Sequence, residues 1–273
     1  MKVALVQMTS GRDVDENLRR AYSLIKEAAS HEAKLVVLPE MFACLGVSNQ
    51  KQLAEQRFHN DDVLGTLSDW AESLDLYLIA GSVPLSPTES SSQSKVHAAC
   101  LVFNPKGQCI QQYNKLHLFD VDVADNKGSY RESDTFLSGD QPAMTDIHGH
   151  SVGLSICYDL RFPELYQFYM ASGCRLITVP SAFTYETGRQ HWEVLLRARA
   201  IETQSFVLAA NQTGVHEDGR RTWGHSMVVS PTGEVIAQLQ EENGVLVADL
   251  DMVLIDSCRS AMPLQQHKRN RYQ

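Results

Sequence analysis

The chain has 273 residues, 43% of them hydrophobic and 21% charged, with a formal net charge of −9 and a pI near 5.5. That length and apolar content support one sizeable core and exclude a disordered chain. The acidic balance argues against nucleic acid or an anionic membrane as partner, and an anionic substrate would need its own local arginine.

The N-terminus MKVALVQMTSGRD carries only a short apolar run broken by Gln7. It is too short for a signal peptide, and nowhere does the chain approach the ~20 apolar residues of a membrane span. The six cysteines, Cys44, Cys100, Cys109, Cys157, Cys174 and Cys258, form no C-x-x-C pair and no cysteine–histidine cluster with zinc spacing. We therefore expect no metal, no cofactor and a cytoplasmic, reducing setting.

In chain order, an apolar strand run at 3–7 leads to a helical pattern over 14–30. There Leu18, Ala21, Ile25 and Ala28 share a face, and Asp13 and Glu16 have capping-box spacing. Strand runs follow at 34–39, 76–83 and 98–103, with a helix at 61–74 and a surface loop over the Ser-rich stretch 84–95. A turn signal at 104–107 precedes the polar strand candidate CIQQYN (109–114). The second half predicts strands at 151–156, 175–180, 205–211, 226–231, 234–239 and 244–250, with helices at 163–172, opened by Pro163, and 189–204. Many runs are apolar at consecutive positions, as expected of strands covered on both faces. Strands outnumber helices and hairpin turns are frequent. This predicts an α/β sandwich with mixed sheets, and no stretch looks like a linker dividing the 273 residues into domains.

Three polar residues stand at or just beyond strand runs: Glu40 after VVLP, Lys115 after CIQQYN and Cys157 after VGLSI. Sites in α/β sheets gather at the carboxyl ends of strands. Taken alone, Cys157 fits either an inert buried thiol or a nucleophile whose thiolate is favoured by the helix beginning at Pro163. Glu40 and Lys115, taken alone, fit solvated surface charges equally well. Dinucleotide and phosphate-loop fingerprints are absent, as is a G-x-S-x-G elbow. Cys157 lacks the flanking glycines of a strained nucleophile turn. His117, His191 and His225 could serve a cysteine–histidine site but are not distinguished from structural histidines.

Taken together, LVVLPEMF around Glu40, YNKLHLFDV around Lys115 and GLSICYDLRFPEL around Cys157 resemble the nitrilase, or carbon–nitrogen hydrolase, superfamily. KVALVQM, VPSAFTYETGRQHWEVLLRARAIET and GHSMVVSPTGEV extend the resemblance over nearly the whole chain. It implies a four-layer α-β-β-α sandwich with mixed β-sheets and a Glu-Lys-Cys triad on Glu40, Lys115 and Cys157. In that scheme Glu40 is the base, Lys115 and the Tyr158 N–H stabilise the oxyanion, and Cys157 carries a thioester. It also implies a second glutamate, Glu132 in SYRESD, beside Lys115, and a homodimer formed through helices near the site; the tail HKRNRYQ could reach toward the partner, although a solvated basic tail is the simpler reading of the residues alone.

Within the superfamily the chain most resembles the branch containing deaminated-glutathione amidase, on LHLFDVDV, RES, CYDLRFPEL, PSAF, HWEVLLRARAIE and GHSMVVSPTG. The implied substrate is a small amide carrying a carboxylate. Arg161 could grip that carboxylate, or pair with a nearby acid. Phe183 and Thr187 fall where family members line the pocket, although Phe183 could equally be core. Alternatives are an omega-amidase acting on 2-oxoglutaramate, a carbamoyl amidase, an aliphatic nitrilase, and a catalytically silent binding protein, against which the complete triad argues.

Overall fold

The computed structural model describes residues 1–58, 62–87, 95–123 and 128–269. Strand β1 (Lys2–Gln7) shows how the layers arise: Val3 and Leu5 join one apolar cluster, while Ala4 and Val6 join another. Successive side chains point to opposite faces, so a strand apolar on every position is covered twice.

The first half continues through α1 (Val14–Ser30), β2 (Leu35–Val37), α2 (Gln50–Leu53), α3 (Asp62–Ser73), β3 (Tyr77–Ile79), β4 (Val83–Leu85), β5 (Val96–Phe103) and β6 (Cys109–Asn114). A connecting region holds β7 (Asp120–Asp122), β8 (Ser129–Arg131) and β9 (Phe136–Leu137). The second half adds β10 (Ala143–Ile147), β11 (His150–Leu154), α4 (Pro163–Ala171), β12 (Leu176–Thr178), α5 (Tyr185–Thr203), β13 (Phe206–Ala209), β14 (Thr213–Val215), β15 (Arg221–Trp223), β16 (Met227–Val229) and β17 (Val235–Gln238). β18 (Gly244–Asp249), α6 (Val253–Ala261) and α7 (Leu264–His267) close the chain.

One mixed sheet runs β18-β1-β2-β3-β5-β4, with β6 and β9 also on β5. The other runs β10-β11-β12-β13-β16-β17. Val3, Leu5, Leu35, Val37 and Ile79 of the first sheet share a cluster with Val152, Leu154, Ile177 and Val207 of the second. The opposite face of the first sheet packs Ala4, Val6, Val36 and Leu78 against Leu18, Ile25, Val63 and Leu67 of α1 and α3. Tyr166 and Tyr169 of α4 and Trp192 and Leu196 of α5 cover the second sheet. These are the four expected layers, α-β-β-α.

Three local expectations change. The Asp13 carboxylate accepts the Glu16 N–H at 3.0 Å, but the Glu16 carboxylate is taken by Arg20 instead of returning to the cap, so the box is half formed. The run 76–83 is two strands, because Gly81 turns the chain with φ +37°. A side chain there would run into the Pro39 carbonyl, one residue before Glu40. The last helix of the second half begins at Tyr185 rather than 189, with extended Thr184 at the N-cap position making no side-chain capping bond. Most of the Ser-rich loop, residues 88–94, and the end of the charged tail, residues 270–273, lie outside the described residues.

Candidate active site

Glu40, Lys115, Glu132 and Cys157 line one cavity of about 580 Å³. Each is delivered by a different local device. Glu40 follows β2, where the next residue, Met41, has φ +55° and donates its N–H to Ser82 Oγ at 2.9 Å. Lys115 is the first residue past β6. Its N–H donates to Ala98 O at 3.0 Å and its carbonyl accepts the Gly139 N–H at 2.8 Å, with Gly139 so close to Asn114 that no side chain would fit. Glu132 opens a single 3₁₀ turn directly after β8, and the β7–β8 ribbon sets it opposite Phe119.

The Lys115 ammonium is 1% exposed and sits between two carboxylates. It donates to Glu40 Oε1 at 2.7 Å and to Glu132 Oε1 and Oε2 at 2.9 and 2.8 Å. Glu132 Oε2 also accepts the Phe119 N–H at 2.6 Å, and Glu40 Oε2 accepts the Ala182 N–H at 2.8 Å. Desolvating such groups costs several kcal/mol per ion, and only close pairing with full hydrogen bonding offsets it. Burial works against the ammonium, but Glu132 and Glu40 outweigh it and hold the Lys115 pKa well above the ordinary lysine value. Burial pushes the Glu132 carboxyl up, with Lys115 opposing.

Cys157 begins a 3₁₀ turn, Cys157–Arg161, with φ +47°. The turn is strained although Cys157 lacks the flanking glycines of a strained nucleophile turn. A non-glycine residue in the left-handed region costs roughly 1–2 kcal/mol and persists only where its surroundings hold it. The Cys157 N–H donates to Pro180 O at 2.9 Å. The expected thiolate is also not what the site favours. Burial, and then Glu40 within hydrogen-bonding reach, push the thiol well above its ordinary value, against a smaller opposing effect of Lys115. Two carboxylates already face one ammonium, and a thiolate would add a further buried negative charge. The resting sulfur is a thiol beside a carboxylate.

Asp159 ties the lysine loop to the cysteine turn, and the sequence reading did not single it out. It is fully buried. Its Oδ1 accepts the His117 N–H at 3.0 Å and lies 2.7 Å from His117 Nδ1. Its Oδ2 accepts from Tyr113 Oη at 2.7 Å and from the Ile156 N–H at 2.8 Å. The His117 ring stacks on Phe162 at 3.7 Å and is not among the residues lining the cavity. His225 stacks on Trp223 at 4.2 Å. Both histidines are structural.

Arg161, Phe183, Thr187 and Tyr158 all reach the cavity. The Arg161 guanidinium donates to His191 Nδ1 at 3.1 Å and lies 5.0 Å from the Phe183 ring. Among the described residues no carboxylate pairs with it, and burial lowers its pKa. Phe183 is both core and wall: it packs 5.0 Å from Trp192 and faces the cavity. Its N–H donates to Asn211 Oδ1 at 3.0 Å, which fixes the 181–184 loop. The Thr187 hydroxyl pairs with Thr184 Oγ1 at 2.7 Å in the first turn of α5. Tyr158 stands edge-on to Phe119 and Phe162 at 5.1 and 5.3 Å. Arg220, in a tight turn at 216–220, also lines the cavity. Sequence reasoning passed it over, because EDGRR looks like an ordinary charged turn.

The family model described as carbon–nitrogen hydrolase matches residues 2–260. The chain belongs to the carbon–nitrogen hydrolase family. It is accordingly a hydrolase of carbon–nitrogen bonds. This hydrolase is 39% identical over 271 residues to the deaminated glutathione amidase of Yersinia enterocolitica, covering 98% of this chain and 92% of the relative. It is 37% identical over 270 residues to the omega-amidase NIT2 of Danio rerio, covering 98% and 95%. Its fold is similar to the crystal structure of Saccharomyces cerevisiae Nit3, described as a member of branch 10 of the nitrilase superfamily. The TM-score is 0.88 and the identity 32%, with 100% of this chain and 97% of that chain covered. The predicted sandwich and the nitrilase resemblance are both borne out. Among the described residues no group of three or more His, Cys, Asp or Glu side chains has the geometry to hold a metal ion. No helix there is long and apolar enough to cross a membrane.

Proposed function

We propose that the chain is an amidase that cleaves deaminated glutathione into 2-oxoglutarate and cysteinylglycine through a Cys157 thioester. The Cys157 sulfur attacks the amide carbon as its proton passes to Glu40. The oxyanion develops between the Lys115 ammonium and the Tyr158 N–H. The Cys157 N–H is already committed to Pro180 O, which leaves its neighbour as the second donor. Glu40 then protonates the departing amine, and the C–N bond breaks. Water, deprotonated by Glu40, attacks the thioester. The acid leaves, and the proton on Glu40 returns to the sulfur. Glu132 holds Lys115 from the far side.

The observation that carries the substrate class is Arg161: a planar cation beside the site, stacked on Phe183 and without an acid partner among the described residues. A 2-oxo acid places a carboxylate near the scissile carbonyl, where a guanidinium binds it in two-pronged fashion. The tool is a panel assayed for 2-oxoglutarate and ammonia release. Deaminated glutathione should be turned over best, 2-oxoglutaramate next and glutathione at least ~10²-fold worse, because its α-ammonium would face Arg161. A clear preference for 2-oxoglutaramate would move the protein to the second reading, an omega-amidase, which the NIT2 relative favours. Equal rates with glutathione would remove the charge argument.

We also infer that the chain acts as one domain, works in the cytoplasm and forms a homodimer through α4 and α5. Phe168, Val194 and Ile201 stand exposed on those helices, as apolar residues of an interface would. Light scattering at micromolar concentration should give twice the monomer mass, and Val194→Glu should lower it.

A further inference from the structure

A row of rings forms one wall of the cavity, with an arginine at each end. The Arg161 Cζ lies 5.9 Å from the Tyr158 ring, Tyr158 lies 5.1 Å from Phe119, Phe119 lies 5.2 Å from Tyr130, and the Arg220 Cζ lies 5.3 Å from Tyr130. Cys157 adjoins the Arg161 end, because Tyr158 is its chain neighbour.

The two arginines differ from others of comparable burial. Arg199 spends its guanidinium on Leu160 O, at 3.0 and 2.8 Å, and on Glu202 at 2.9 Å. Arg175 is paired with Asp256 at 2.7 and 3.0 Å. Arg220 has one long contact, Nη2 to Asp218 Oδ2 at 3.5 Å, and its Nε is buried without a hydrogen-bond partner. Buried donors are nearly always satisfied; Arg220 lines the cavity with one donor unpartnered and its acid contact long, so its guanidinium keeps hydrogen-bonding capacity for an anion. Asp218 also accepts the Arg220 N–H at 3.1 Å, which steadies the turn. Tyr130 supports the cation from one face.

We infer that Arg220 binds a carboxylate on the departing amine, so that the preferred substrate is an amide with an anion at each end. This rests on the amidase reading above and extends it to the half of the substrate that leaves. The acyl carboxylate sits at Arg161, the scissile amide at Cys157, and the amine half lies along Phe119 and Tyr130 toward Arg220. A primary amide has nothing to offer Arg220, and an amine half that ends in a neutral group leaves its donors unpaired.

Two synthetic 2-oxoglutaryl dipeptide amides test this, identical except that one ends in a free carboxylate and the other in a carboxamide. The purified protein should favour the carboxylate by about 10- to 100-fold in kcat/KM, mostly through KM. Arg220→Gln should bring that ratio close to one, and Arg220→Lys should keep part of it, since an ammonium retains the charge without the fork. The ratio is internal to each variant, so a loss of folded protein lowers both rates and leaves it unmoved. An unchanged ratio in Arg220→Gln, or no preference in the parent protein, overturns the assignment of Arg220 while the amidase reading stands. Failure of the parent protein to cleave either amide or 2-oxoglutaramate overturns that reading, and the assignment with it.

Discussion

Tyr113 donates its phenol hydrogen to Asp159 at 2.7 Å, joining a residue two before Lys115 to a residue two after Cys157. The link runs from β6 of the first sheet to the turn that follows β11 of the second. Through Asp159 the cation and the sulfur share one rigid frame, which also includes the His117 and Ile156 N–H groups.

Tyr113→Phe should therefore remove the bond to Asp159, and with it the acceptor of the Leu116 N–H at 3.3 Å, and cost about 1–2 kcal/mol. Asp159→Asn should cost more, about 2–4 kcal/mol, because an amide cannot accept everything the carboxylate does and leaves buried donors unpaired. Chemical denaturation measures both. If the frame positions the chemistry, kcat should fall further than stability explains in the folded fraction, with KM nearly unchanged.

Cys157→Ala should abolish turnover while leaving the fold intact, and rapid quenching of the parent protein should trap an acyl group on Cys157 by mass spectrometry. The φ of +47° adds a second expectation. Cys157→Gly should be about 1 kcal/mol more stable than Cys157→Ala, since glycine alone occupies that region without strain. Equal stability would mean the turn relaxes.

Lys115→Ala leaves two buried carboxylates facing each other, and should lower kcat by at least ~10²–10³ and destabilise the fold by about 3–5 kcal/mol. Glu40→Gln keeps the shape but loses the base and places an amide where the Lys115 and Ala182 donors converge. It should lose as much in kcat or more. Near-normal turnover at neutral pH would require another base.

The pH profile follows from the same cluster. Because the Glu132 pKa is raised by burial, loss of activity on the acid side should begin above the ordinary carboxylate value of about 4.3. The Lys115 pKa is raised in the fold, so its contribution to stability is complete below the unfolded lysine value of about 10.4 and is lost as pH climbs through the folded one. No alkaline fall from Lys115 should appear between pH 7 and roughly 9.5. Iodoacetamide labelling of Cys157 in the free protein should be slow at neutral pH and quicken with alkali, as a raised thiol pKa requires. Rapid labelling at pH 6 would show a resting thiolate.

Much of this protein was legible in the chain of letters. Runs such as Val3–Val6 and Leu35–Leu38, apolar at every position, dictate strands buried on both faces, and the 3.6-residue stripe of 14–30 dictates the helix that covers one of them. The motifs around Glu40, Lys115 and Cys157 pointed to the family because residue type and order are carried by sequence. What sequence could not carry is how groups far apart in the chain meet. Glu40 shares the Ala182 N–H across 142 positions, and Asp159 reaches back to Tyr113 across 46. The resting thiol, the left-handed turn at Cys157 and the unpartnered Nε of Arg220 were likewise decided in three dimensions. A pKa depends on which charges are near and how much water is gone, and a buried donor is satisfied or not only once every neighbour is in place.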